Sequence, residues 1–157
     1  MGIISRLNLG LIAAAALVAA TPAAAQTATP NGPITIRGLL HLSILGGMSY
    51  TQCQMTLQGT ADSGGFTVSK VEGENINGGP LSCDDWYEHP IRIDATSPNE
   101  VIFRSFTIRT PFGDCEATNF SAAWSNQNSS MTIPMQTIII PCELGGTLTV
   151  SPATTIN

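Results

Sequence analysis

Cys53-Gln-Met-Thr-Leu-Gln-Gly-Thr60, followed by Asp62-Ser-Gly-Gly65 and Phe66-Thr-Val-Ser69, is the stretch whose reading decides the fold. Cys53, Met55 and Leu57 alternate with Gln54, Thr56 and Gln58, which is the period of a strand with one covered face. Phe66 and Val68 repeat the pattern beyond a turn of small and polar residues, so the two runs form a hairpin. Cys83 ends this unit. A similar unit follows: Cys115-Glu-Ala-Thr-Asn-Phe-Ser-Ala-Ala-Trp124, a turn at Asn126-Gln-Asn128, an apolar run from Met131, then Cys142. Each reads as cysteine, strand, turn, strand, cysteine.

The same alternation extends outward. Ile34, Ile36, Leu40, Leu42 and Ile44 share one parity, with Gly38 as a bulge or bend. Ile91, Ile93 and Ala95 make a further strand that ends at Ser97-Pro98-Asn99. In Val101–Arg109 the inner parity switches between Phe103 and Phe106, which predicts a bulge. Leu148 and Val150 close the chain after Gly145-Gly146. Met55, Met131 and Met135 read as core filler, and Phe120 and Trp124 as core packing. Eight or nine short strands spaced about 8–12 residues apart predict an all-β fold, a single β-sandwich of Greek-key or jelly-roll type.

Composition agrees. Charged residues are only 11% of the 157, the hydrophobic share is 43%, and turn-forming residues are frequent. A disordered chain would be poorer in apolar residues and more highly charged. Residues 1–25 have the form of a signal peptide: Arg6, an apolar stretch from Leu9 to Ala20, Pro22, and small residues up to Ala25. Cleavage between Ala25 and Gln26 would leave 132 residues, with net charge −6 once Arg6 is lost from the −5 of the whole chain. Residues 26–33 then read as a flexible polar arm and 34–157 as the β-domain. An acidic surface repels phosphate backbones, so nucleic acid is excluded as a partner. No second long apolar stretch follows, so the expected product is secreted, with the periplasm as the other compartment an export signal allows.

Four cysteines after an export signal imply two disulfides. Three pairings are possible; Cys53–Cys83 with Cys115–Cys142 closes each repeated unit on itself and is favoured. Loops of this length correspond to roughly 3.5–4 kcal/mol per bridge in the chain-entropy account. Zinc would want close C-x-x-C pairs, which are missing.

Signals for chemistry are sparse. Asp84, Asp85, Glu88 and His89 share a loop with Trp86 and Tyr87, which suggests either a cation site or an aromatic platform for sugar. The spacing fits no calcium loop, and Trp86 tucked over the core is the plainer reading. His41 and His89 are the only neutral-pH bases. His41 lies in an apolar strand, and no nucleophile elbow or His-Glu-x-x-His helix is present. The residues therefore point to a non-enzymatic protein with no cofactor.

Cys53-Gln-Met-Thr-Leu-Gln-Gly-Thr60, Asn77-Gly-Gly-Pro-Leu-Ser-Cys83, Gly113-Asp-Cys115, Ala123-Trp-Ser-Asn126 and Pro141-Cys-Glu-Leu-Gly-Gly-Thr-Leu-Thr-Val-Ser-Pro152 together resemble the bacterial PraB family. Its members, called protein activators of alkane oxidation, are small exported β-rich proteins with four cysteines. Trp86-Tyr-Glu-His-Pro90 departs from that pattern. The resemblance implies a secreted protein that helps a bacterium use hydrocarbon and transfers no catalytic residue. Its partners would be hydrophobic or cell-surface material. Other readings are a surface-fibre or biofilm-matrix subunit that self-associates through Ile34–Ile44 as a donated strand, or a carbohydrate-binding module.

Overall fold

The computed structural model describes residues 26–44, 49–87, 90–139 and 141–157, so the expected signal segment, Ala25 included, lies outside the described residues. Its first strands are β1 (Ala28–Thr29), β2 (Gly32–Ile44), β3 (Tyr50–Asp62) and β4 (Gly65–Asn75). Then come β5 (Trp86–Tyr87), β6 (Ile91–Ser97), β7 (Glu100–Phe103), β8 (Phe106–Ile108) and β9 (Cys115–Ala117). The chain ends with β10 (Phe120–Ser125), β11 (Ser130–Ile139), β12 (Cys142–Ser151) and β13 (Thr155–Ile156).

The sandwich expectation is overturned. Strands β2, β3, β4, β6, β7, β10, β11 and β12 pair with their chain neighbours, and β12 pairs back onto β2 to close a barrel. The connectivity is an antiparallel meander, not a Greek key. Strand spacing is the same for either architecture. What decides is the ten-rung ladder from Cys142↔Ile44 to Ser151↔Thr35, between strands about a hundred residues apart. Closure also removes the open edges that a sandwich must protect.

Alternation then sorts the side chains. Ile34, Ile36, Leu40, Leu42, Met55, Leu57, Phe66, Val68, Ile93, Val101, Trp124, Met131, Leu148 and Val150 are buried. Phe66 and Trp124 meet with ring centroids 5.4 Å apart. An eight-stranded barrel is just wide enough for side chains to fill, and these fill it. Thr35, Arg37, Gln54, Thr56, Gln58, Thr132, Thr147 and Thr149 fall on the opposite parity, partly or fully exposed. An apolar lumen inside a polar wall is the reverse of a lipid-facing barrel.

Gly38 and Gly146 permit the closure. They sit at lumen positions on adjoining strands, opposite Leu148 and Leu40. A Cβ on Gly38 would press into the Thr147 carbonyl and lie 2.9 Å from Leu148 Cα. The register runs unbroken through Gly38, so this is a close backbone approach and not a bulge.

Three local expectations change. The parity switch between Phe103 and Phe106 is a change of sheet: β7 stays in the barrel, whereas β8 joins β5 and β9 in a separate three-stranded sheet. Met135 is not core filler. The β11–β12 register slips between Ile133 and Thr137 beside Pro134, which lacks an N–H for the ladder, and Met135 turns outward at 61% exposure. Residues 26–33 do not form a loose arm, since Ala28 is buried and Ala28–Thr29 pairs with Thr155–Ile156.

The barrel has unlike ends. The turns at 63–64, 98–99 and 126–129 share one end with β1 and β13; we call it the turn end. There the Asn126 side chain acts as a latch. Its Oδ1 accepts from Trp124 Nε1 and from the Ile156 amide, both at 2.7 Å, and its Nδ2 donates to the Ile156 carbonyl at 2.9 Å. On the nearby wall Arg92 binds Asp62 and Asp94, and Arg104 Nε meets Asp94 at 2.6 Å. The hydrogen bond from Arg92 holds the Asp62 carboxyl below its ordinary value. Burial pushes Asp94 up, but the hydrogen bonds from Arg92 and Arg104 outweigh it and leave that carboxyl lowered too.

Candidate functional site: the disulfide end

The opposite end carries both bridges, Cys53–Cys83 and Cys115–Cys142, each closing one of the repeated units. Cys53 pairs with Leu40 and Cys142 with Ile44, so both lie along the second half of β2. The first bridge ties the 76–85 loop to the barrel. Side chains complete the tie: buried Thr51 accepts from the Leu81 amide at 3.0 Å, and Asn75 Nδ2 donates to the Gly79 carbonyl at 2.6 Å. Asn77 Oδ1 accepts from the Gln52 amide at 2.9 Å. The first two bonds satisfy loop backbone that has no strand partner, and the third anchors the loop to β3. Leu81 is thereby buried.

The second bridge ties β9, and with it the small sheet, to β12. Trp86 stacks on Phe106 with centroids 4.9 Å apart and 5° between planes, and Phe106 meets Phe103 and Phe120 edge-on. Phe103 and Phe120 stack at 4.8 Å. Each such pair adds about 0.5–1.5 kcal/mol beyond buried area. An aromatic seam thus joins the small sheet to the barrel.

This settles where the candidate residues sit. Trp86 is 7% exposed, with one ring face against Phe106, so it packs the core and offers little platform. Tyr87 is its neighbour on β5, while Glu88 and His89 lie outside the described residues. Asp84 takes a hydrogen bond from Ser82 at 2.6 Å, and Asp84 and Asp85 are exposed. Among the described residues no three His, Cys, Asp or Glu side chains gather as a metal site would require. Gln26 is partly buried at the turn end, far from this loop. Strand β2, with Ile34–Ile44, has β12 on one edge and β3 on the other, so donating it to a neighbour would mean opening the barrel.

What the sequence did not reveal is the gathering of exposed apolar side chains here. Phe112 is 56% exposed in the turn between β8 and β9, Ile76 50% just past β4, and Tyr50 43% at the start of β3. With Met135 these are the large hydrophobic residues exposed among those described, and all lie in the half of the molecule that holds the bridges. The turn end instead presents Ser63, Asn99, Gln127 and Asn128. The signal was faint because the residues are scattered, in a turn, a loop, a strand end and a bulge, and only folding brings them to one end.

No helix among the described residues is long and apolar enough to cross a membrane. No curated protein and no solved structure matches the chain. The family described as alkane oxidation protein activator PraA/PraB-like matches residues 1–157. Two bridged units in one all-β body, matched along its whole length, make this chain a member of the PraA/PraB-like family of alkane oxidation protein activators.

Proposed function

We propose that the protein is exported and acts without catalysis, docking through its disulfide end onto hydrophobic material and so aiding the use of hydrocarbon. The observation that carries this reading is the axial asymmetry: Phe112, Ile76, Tyr50 and Met135 are exposed at the bridged end, and polar turns occupy the other. Fully burying one such side chain contributes about 1.5–3 kcal/mol. A few together give reversible attachment to an oil–water boundary, and the bridges keep the end from unfolding when it adsorbs. The family's description as alkane oxidation protein activators fits a helper of that reaction.

Partition of the mature protein onto hexadecane droplets tests this. Phe112→Ser with Ile76→Ser should weaken partition by about tenfold or more, since 1.4 kcal/mol is a factor of ten. Asn128→Ser at the turn end should leave it unchanged. Indifference of the native protein to droplets, or equal partition of the double variant, would sink the proposal.

A further inference from the structure

We propose that His41 and Met135 form a surface binding site for cuprous ion on the barrel wall near the disulfide end. The argument starts from register. His41 pairs directly with Gly145 across β2 and β12, so their side-chain positions share the outer face about 4.5–5.5 Å apart. Gly145 has no side chain, and Met135 fills that position: a Cβ on Gly145 would lie 2.8 Å from Met135 Sδ. The slip in β11 therefore delivers a thioether beside the imidazole. Both residues line one shallow groove with Ser43, Tyr50, Glu143 and Leu144.

The histidine is oriented for this role. His41 Nδ1 meets the Tyr50 hydroxyl at 2.5 Å, the rings stack at 5.7 Å, and Gln52 Nε2 donates to the same oxygen at 2.9 Å. In the tautomer where Nδ1–H donates to Tyr50, Nε2 keeps its lone pair for a metal. That is the outer-shell arrangement that ligating histidines use. A soft thioether beside an imidazole selects Cu(I) over harder divalent ions. Glu143 sits in the groove, held by Ser43 Oγ at 3.4 Å, and supplies charge but not a donor suited to this ion. Met135 is the methionine available for this, since Met55 and Met131 are buried.

Anaerobic titration of the mature protein with Cu(I), against a chromogenic Cu(I) chelator, is the test. One equivalent should bind, and His41→Ala or Met135→Leu should abolish uptake. Tyr50→Phe should weaken it about 10–100-fold, as loss of an outer-shell partner does. His89→Ala and Glu143→Gln should bind as the native protein does. Both ligands lie on the outer wall, so melting without copper should be unchanged in their variants. In the native protein the Met135 methyl resonance should shift with the first equivalent, and those of Met55 and Met131 should not. No uptake, undiminished uptake by Met135→Leu, or loss in Glu143→Gln would each overturn the proposal; the last would mean a harder ion held by carboxylate.

Discussion

Replacing Asn126 by alanine tests how the turn end is held. One side chain accepts from the Trp124 indole and the Ile156 amide, and donates to the Ile156 carbonyl. Trp124 and Ile156 are buried, so the alanine variant has two courses. It can keep the end closed and leave these groups unpaired, at about 1–3 kcal/mol for each one that water cannot reach. Or it can release β13 and β1, exposing Ile156 at about 1.5–3 kcal/mol along with the smaller Ala28. Either course gives a loss of about 2–4 kcal/mol. With a urea slope of about 1–3 kcal/mol/M, the midpoint falls by roughly 1–2 M. Urea unfolding followed by tryptophan fluorescence measures it, and hydrogen exchange at the Ile156 amide reports the latch directly. A Trp124→Phe variant should lose less, and should make the further loss of Asn126 cheaper, because the two share a bond. A loss under about 0.5 kcal/mol with Ile156 still protected would refute this account.

Other expectations follow from the same structure. Gly146→Ala should cost at least about 2 kcal/mol, because φ is +142° and the Leu39 carbonyl blocks a Cβ; a thermal melt equal to native would count against a tight β2–β12 closure. Changing Cys115 and Cys142 together to serine opens a 27-residue separation, worth about 3.5 kcal/mol by loop entropy, and should speed exchange at the Phe106–Ile108 amides before those of β2 and β3. Guanidinium unfolding that loses under about 1 kcal/mol would contradict it. Asp62 and Asp94 both titrate below their ordinary value of 3.8 in the folded protein. Their contribution is therefore complete above about pH 4–5 and fades as pH falls through the lowered values. Asp62→Asn should flatten the acid side of the stability profile, and an unchanged profile would remove the network from the account.

The hairpins at Asp62–Gly65 and Asn126–Asn128 were legible because turn chemistry and alternation act between near neighbours in the chain. So was the class of the fold, and the bridge pairing followed from the repeated unit that each pair encloses. Of the candidate site, the sequence marked Trp86 and Tyr87 for their residue type, and the structure buries Trp86 against Phe106. The proposed docking face is made of Phe112, Ile76, Tyr50 and Met135, which share no motif.

Local chemistry therefore determined the strands, the turns, the oxidised cysteines and which face of most strands points inward. The tertiary structure alone decided that β12 returns to β2, that Phe106 leaves the barrel, that Met135 points outward, and that apolar side chains collect at one end. Those outcomes depend on contacts between residues far apart in the chain. Their free energy is set by closure and packing of the whole barrel, and no short stretch carries that information.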